Sequence, residues 1–429
     1  MKILLIMPHP NPKRSVFTKI QYPSLTLQQI AGITPREHEV QITDERFEKI
    51  NFDVHYDLVG ISCLTYNSLR GYQISKIFRD KKIPVVFGGY HASLLPDEVK
   101  QHADAIVIGE AEYTWPKVLE DVQKGTLKPI YKSDKFVDPV DIPPARHDIG
   151  TYTFMDTIQA GRGCPTGCEF CSMQKIEGKR FRGRPVESIV AELETIKAKT
   201  IFFADSSLTV SPPYSKKLFK ELIPLNKKFH CYSNINVLAK DDEFLKLSQE
   251  AGFKRWCLGI ESISQENINQ AGKSTNTVEE YGDAIKKIKD YGMEVTGFFI
   301  FGLDHDTKET FQQTLDTIYT WNLDQVAFSV MTPYPGTRLF DRMEQEGRIT
   351  RYDWSRYEEG KVNFTPKNMT PEELIEGIRQ IAMDFYSVKN CVKRSFKSRP
   401  KTPSMILSTL VINLGIRSFY KREKYNIDE

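Results

Sequence analysis

Cysteine is scarce in this chain. Seven cysteines in 429 residues exclude a disulfide-stapled scaffold. Charge of one sign is missing too: 59 basic residues stand against 56 acidic ones, a formal net charge of +3. That balance excludes a nucleic-acid-coating protein and an acidic solvating chain. No apolar run reaches the roughly 18–20 residues of a membrane span. The apolar start, Lys2–Met7, stops at Pro8 and is too short for a secretory signal. The expected compartment is the reducing cytoplasm, where thiols stay free for metals or chemistry. What is present is apolar material, 40% hydrophobic and 11% aromatic, enough for sizeable cores in more than one domain.

The expected fold class is α/β. In residues 1–127, near-continuous apolar runs at Lys2–Met7, 39–43, 58–64, Val85–Gly88 and Ala105–Ile108 alternate with helix-like spacing. Such runs suit parallel strands covered on both faces. They predict a doubly wound, flavodoxin-like (Rossmann-like) domain with its ligand loops at the strand carboxyl ends, among them 8–14, 63–70, 89–93 and 110–112. Residues 128–150 carry Pro129, Pro139, Pro143 and Pro144 without periodicity and read as a linker. Residues 151–337 hold six further strand–helix units and predict a partial (β/α)6 barrel with chemistry at the strand carboxyl ends. Residues 338–429 read as a mainly helical extension. Its apolar stretch 405–416 lies between basic clusters that include Lys389, Lys393, Arg394, Lys397, Arg399, Lys401, Arg417, Lys421, Arg422 and Lys424. That pattern suits an anionic membrane surface, a terminal helix packed on the barrel with a solvated basic face, or a lid over an apolar substrate.

The densest chemistry is Cys164-Pro165-Thr166-Gly167-Cys168-Glu169-Phe170-Cys171. Three thiols fall within eight residues, spaced x₃ then x₂, just after the first strand of the second series. Soft thiolates at this spacing converge on one metal centre and select zinc or an iron–sulfur cluster. A closed structural zinc site takes four ligands, yet Cys63, Cys231, Cys257 and Cys391 are isolated in sequence. Three thiolates on a cluster leave one iron open to a small molecule. Gly161, Gly163 and Gly167 let backbone approach the sulfurs. Elsewhere, Glu261 ends an apolar strand, where an acid points into a barrel mouth.

Cys164-x₃-Cys168-x₂-Cys171, with Phe170 before the last cysteine, resembles the signature of the radical S-adenosylmethionine (SAM) superfamily. The resemblance implies a [4Fe–4S] cluster on Cys164, Cys168 and Cys171. Its open iron would bind SAM and cleave it to a 5′-deoxyadenosyl radical. Gly259-Ile260-Glu261-Ser262 is similar to the family's SAM-contacting strand end, and Gly297–Gly302 to the glycine-rich strand beside adenine. Asp205 follows the second strand, where relatives carry acids. Phe170, Asp205, Glu261 and Gly302 are thus the implied SAM-side residues. No separate glycine-glycine-glutamate segment for the SAM amine is evident.

A flavodoxin-like domain ahead of such a barrel resembles the cobalamin-binding subclass. Gly88-Gly89-Tyr90-His91 and Gly109-Glu110-Ala111-Glu112 are similar to its recurring loops, which implies Gly88, Gly89, His91 and Glu110 as cobalamin contacts. No Asp-x-His-x-x-Gly follows the first strand, so cobalt is expected to lack a histidine ligand. Tyr66 and Arg70 are the candidates to cover its lower face. The segments around Trp354 and Met369–Leu374 look like extensions of relatives acting on lipid, polyprenoid or tetrapyrrole substrates, including hopanoid methylases and the anaerobic magnesium-protoporphyrin ester cyclase. The expected activity is methyl transfer to an unactivated carbon of an apolar substrate. A radical cyclase or carbon–carbon bond-forming enzyme is one alternative, and a zinc-binding, non-catalytic scaffold is another. The expected partners are that small molecule, a flavodoxin- or ferredoxin-type reductant and, through the tail, the inner membrane face, with no nucleic acid.

Overall fold

Alternate side chains of the first strands feed two separate cores, which is why their sequences are almost continuously apolar. In the computed structural model, which describes residues 1–10, 22–151, 153–273, 275–358, 360–397 and 403–422, Leu4, Ile6, Val59, Ile61, Val85 and Phe87 pack on one face of the first sheet. Ile3, Leu5, Leu58, Val86 and Val107 pack on the other. The strands are β1 (Lys2–Met7), β2 (Glu39–Asp44), β3 (Leu58–Ser62), β4 (Val85–Gly88), β5 (Ala105–Ile108) and β6 (Ile130–Lys132), in the order β2-β1-β3-β4-β5-β6. All pairings are parallel. Strand β6 lies inside the stretch that sequence reads as linker. Three residues, of which only Tyr131 is buried, are too few to show a period.

The second sheet holds β7 (Met155–Ile158), β10 (Thr200–Phe203), β11 (Lys228–Ser233), β12 (Phe253–Glu261), β13 (Glu294–Phe301) and β14 (Gln325–Val330). They pair in parallel in the order β14-β13-β12-β11-β10-β7, a partial barrel open between β7 and β14. Two short antiparallel strands, β8 (Gly161–Arg162) and β9 (Arg182–Gly183), bracket the cysteine segment. Beneath the helices, Phe203, Phe229, Phe253 and Trp256 form a fully buried ring cluster, with Phe253 and Trp256 stacked at 5.2 Å. Burying each such ring contributes about 1.5–3 kcal/mol. On the inner face Phe202 meets Tyr22 of the first domain at 4.9 Å and Tyr232 at 4.8 Å.

Helix Pro371–Phe385 anchors the extension. Thr370 and Glu373 form a reciprocal capping box at its start, ahead of Pro371 in the first turn. The Tyr386 hydroxyl donates to the Val326 carbonyl across the barrel edge (2.6 Å). Farther back in the chain, the Trp354 indole donates to Glu98 of the first domain (2.8 Å). Helices Val388–Lys397 and Pro403–Arg422 close the described chain. No helix among the described residues is long and apolar enough to cross a membrane. Asn11–Arg14 of the first ligand loop, and Arg399, Lys401 and Lys424 of the basic tail, lie outside the described residues.

Candidate active site

The cysteine segment is tied down from several sides. Gly163 has φ +89°, and a Cβ there would sit 2.1 Å from the Arg180 carbonyl, so only glycine fits between the arms of the loop. Gln174 donates to the Cys164 carbonyl (2.8 Å), and Glu169 N–H to the Ala271 carbonyl (2.9 Å). From the extension, Leu339 N–H donates to the Glu169 carbonyl (2.9 Å), Arg342 pairs with the Glu169 carboxylate (2.8 Å), and Arg338 donates to the Gly167 carbonyl. Cys164 and Cys168 are half-buried and Cys171 is exposed. Burial pushes the Cys168 thiol up to about 12, opposed by the charge of nearby Lys273. A thiolate at such a place needs a strongly positive partner. Phe170 packs against the second core.

Asp205 sits at the root of this loop rather than at its opening. It accepts from Ala160 N–H (2.9 Å) and Gly161 N–H (2.6 Å), and burial raises it to about 7. Its geometry is that of a positioning residue. Gly302 likewise faces elsewhere: a Cβ there would meet Leu374 and Phe364 of the extension at 2.9 Å.

Glu261 lies where β12 bulges against β13, with φ +63°. A non-glycine residue in the left-handed region carries strain and clusters at functional sites. Its carboxylate is held by Lys273 at 2.5 Å, and Lys273 also donates to the Gly259 carbonyl (2.6 Å). Both side chains are buried. Gly259 is obligatory beneath them, since a Cβ would fall 2.5 Å from Glu261 Oε1 and from Lys273 Nζ. The pair acts electrostatically on Cys168 and Cys171. Sequence reasoning reached Glu261 and missed Lys273. A lysine after glycine in a polar loop carries no pattern, and only the fold brings it back to the strand end.

On the other side of the loop lies a mostly apolar cavity of about 380 Å³. Leu5, Gly60, Gly88, Gly89, Val107, Gly109 and Trp115 line it from the first domain, and Arg162, Met173, Ile176 and Glu177 from the cysteine segment. A Cβ on Gly60 would press on Leu5 (2.9 Å) and Trp115 (3.3 Å), and one on Gly89 (φ +87°) would strike Ser62 Oγ at 2.8 Å.

Other residues expected here are otherwise engaged. His91 is fully buried, with Nε2 2.9 Å from the Tyr72 hydroxyl, and is not among the cavity-lining residues. Gly89–Leu94 forms a helical turn that carries it inward. Tyr72 and Trp354 both donate to Glu98. Burial opposes ionisation of Glu98, but these bonds and His91 prevail and bring it down to about 2. Arg70 is spent on buried Glu45 (2.7 Å). Tyr66 is half-buried near Glu358 of the extension, and burial raises its hydroxyl. Glu110 lines the cavity, but its oxygens are taken by Arg162 (3.1 Å), Arg182 (2.7 Å) and Val137 N–H (2.7 Å), while Glu112 pairs with Arg162 (2.7 Å). This clamp joins the first domain to the strand before Cys164, and Arg162 and Arg182 were not singled out by sequence. The Gly161-Arg162-Gly163 run ahead of Cys164 was the available signal.

Two family models match this arrangement. Residues 158–318 match the radical SAM superfamily and residues 20–119 the B12 binding domain. The chain is a cobalamin-binding radical SAM enzyme. Residues 337–425 match a domain of unknown function, DUF4070. Among curated relatives, bacteriochlorophyllide d C-8(2)-methyltransferase of Chlorobaculum tepidum is 28% identical over 429 residues, covering 94% of each chain. Bacteriochlorophyllide d C-12(1)-methyltransferase of the same organism is 27% identical over 408 residues, covering 92% of this chain and 89% of its own. The fold is like that of the radical SAM methyltransferase TsrM of Kitasatospora setae, solved with cobalamin and a [4Fe–4S] cluster: TM-score 0.73 at 15% identity, over 97% of this chain and 99% of that one.

The cofactors of this enzyme are a [4Fe–4S] cluster, SAM and cobalamin. The residues present fit them. Three thiols on one anchored loop supply the donor set for three irons. Among the described residues, no group of three or more His, Cys, Asp or Glu stands gathered around a single point, the three thiols included, so the structure shows the loop that carries the donors and not their convergence. The glycine-lined cavity is space that side chains would fill.

Proposed function

We propose that this enzyme methylates an unactivated carbon of an apolar small molecule, with Cys164, Cys168 and Cys171 holding the cluster. The observation that carries the reading is the mostly apolar cavity of about 380 Å³ walled jointly by the first domain and the cysteine segment, which opens a space for a corrin beside the cysteine loop. When bound, the cluster supplies the electron that cleaves SAM, and cobalamin supplies the methyl group. The chain's own part is positional. Gly60, Gly88, Gly89 and Gly109 leave room for the corrin and its tail. Lys273 and Glu261 offer a buried charge pair near Cys168 and Cys171 that would meet the ammonium and carboxylate of SAM. Asp205 and the Glu110–Arg162–Arg182 clamp hold the loop at a set spacing from the first domain. Phe202, Tyr232 and Phe298 on the inner sheet face supply an apolar wall that keeps water from the reacting carbon.

The names of the bacteriochlorophyllide methyltransferases and of a hopanoid methylase support methyl transfer and an acceptor of tetrapyrrole or lipid character, while a relative named as a magnesium-protoporphyrin ester cyclase keeps cyclisation as the second reading. A flavodoxin- or ferredoxin-type protein is the reductant in this reading, and the apolar substrate is met at a membrane surface. The test is product analysis of anaerobically reconstituted protein. Formation of 5′-deoxyadenosine, S-adenosylhomocysteine and a methylated acceptor is expected. Deoxyadenosine with a transformed but unmethylated acceptor would replace methyl transfer with cyclase chemistry.

A further inference from the structure

Helices Val388–Lys397 and Pro403–Arg422 leave an apolar stripe on their outer face. In the first, Cys391, Arg394 and Ser395 face the protein, while Val388, Val392 and Phe396 stand 56%, 39% and 67% exposed at i, i+4 and i+8. In the second, Leu410, Leu414, Ile416 and Tyr420 pack on the core beside buried Thr409 and Asn413, while Leu407 and Val411, again four apart, stand 62% and 50% exposed. A helix serving only the core would carry polar residues on that outer face. The inward polar groups make local bonds: Asn413 donates to the Thr409 carbonyl, Ser395 to the Cys391 carbonyl, and Arg394 to the Phe385 carbonyl.

Charge is gathered in the same place. Residues 388–422 contain nine Lys or Arg and no Asp or Glu, leaving the rest of the chain with 50 basic against 56 acidic residues. The small positive balance of the whole protein therefore hides an acidic body with a basic end. Lys389 and Lys393 are exposed one position on from Val388 and Val392, so their stems flank the apolar stripe and their ammonium groups reach past it. An acidic partner protein would complement the lysines but offers no reason for a stripe of bare valine, leucine and phenylalanine. An apolar partner would not call for the absence of every carboxylate. Apolar teeth among cations meet both demands of one surface, an anionic lipid bilayer.

We infer that the 388–422 helix pair seats the enzyme on the surface of an anionic membrane, with Val388, Val392, Phe396, Leu407 and Val411 entering the headgroup boundary. This gives the proposed meeting with an apolar substrate its physical site, while standing apart from the chemistry. Radical SAM turnover and vesicle binding are measured separately, so either fails without the other.

The test is co-sedimentation of the full-length holoenzyme with vesicles of phosphatidylcholine alone or with about one third phosphatidylglycerol. Partition onto the anionic vesicles only, falling as salt rises, is expected. Val392→Ser with Phe396→Ser should weaken it at least tenfold. Lys389→Gln and Lys393→Gln should each weaken it by about fivefold at low salt, with deoxyadenosine formation unchanged. The lysine variants leave the packed face untouched, so the test survives if the apolar pair misfolds. No partition onto anionic vesicles, equal partition onto both kinds, or a concentration-dependent dimer abolished by the apolar pair in place of vesicle binding would each overturn the inference.

Discussion

The two cofactor sites are made by opposite means. The cluster loop is built from what its side chains do: three thiols, a Glu261–Lys273 pair at 2.5 Å, and anchors from Asp205, Arg342 and Arg162. The cavity proposed for the corrin is built from what side chains leave out, with Gly60, Gly88, Gly89 and Gly109 on its walls. One is crowded with charge and hydrogen bonds, the other is apolar space. The contrast teaches that a site of contacts is broken by removing a group and a site of space by adding one.

The largest effect is expected from subtraction at the cluster. Cys168→Ala should lower bound iron and sulfide to a small residue and abolish deoxyadenosine formation, while corrin content stays near that of the parent. Metal analysis and the visible spectrum read both sites at once. A parallel loss of corrin would show that the two sites are one cooperative unit. Addition at the cavity is the converse. Gly60→Val pushes into Leu5 and Trp115, and corrin content should fall at least tenfold with iron unchanged.

A subtler subtraction is Lys273→Met, which leaves Glu261 charged and buried. That should cost ~3–5 kcal/mol in denaturant unfolding. Adding Glu261→Gln should return much of it, while affinity for SAM stays weakened in both proteins. Restored SAM affinity in the double variant would reduce the pair to scaffolding.

The smallest expected effect lies away from both sites. His147 sits between Asp156 (3.1 Å) and Glu192 (3.0 Å). Burial opposes its charge, but bonds to the two carboxylates prevail and raise it from 6.5 to about 9. A raised histidine stabilises the fold fully below pH 6.5, and that share is lost as pH rises through 9. The loss is at most ~3 kcal/mol. Urea midpoints should drop between pH 6.5 and 9.5 in the parent, and His147→Phe should remove this part of the dependence. Corrin and iron contents should follow only the general loss of fold.

The same contrast governs what the amino-acid sequence discloses. The cysteine segment is contiguous, so its chemistry is visible in eight letters, and the strands are long enough to declare themselves. Glu261 is visible because it ends a strand. Lys273 is not, because its partnership depends on a bulge and a returning loop. Gly60 reads as an ordinary strand residue until its neighbours Leu5 and Trp115 are in place. His91 misleads for a related reason: a histidine after two glycines looks like a loop ligand, yet the helical turn from Gly89 folds it against Tyr72. Arg70 and Glu110 are where expected along the chain, but Glu45 and Arg182, distant in sequence, have already claimed them.

The strap from Trp354 to Glu98 spans 256 positions of the chain. During synthesis the first domain leaves the ribosome long before that indole exists, and the cavity wall contributed by Arg162, Met173 and Ile176 follows between the two. A corrin meeting the nascent chain would find one wall without its opposite, and the buckle fastens only after some 350 residues have been made. A shortened product ending before Trp354 would keep the Glu110–Arg162–Arg182 clamp and the whole cavity lining but lack this second fastening.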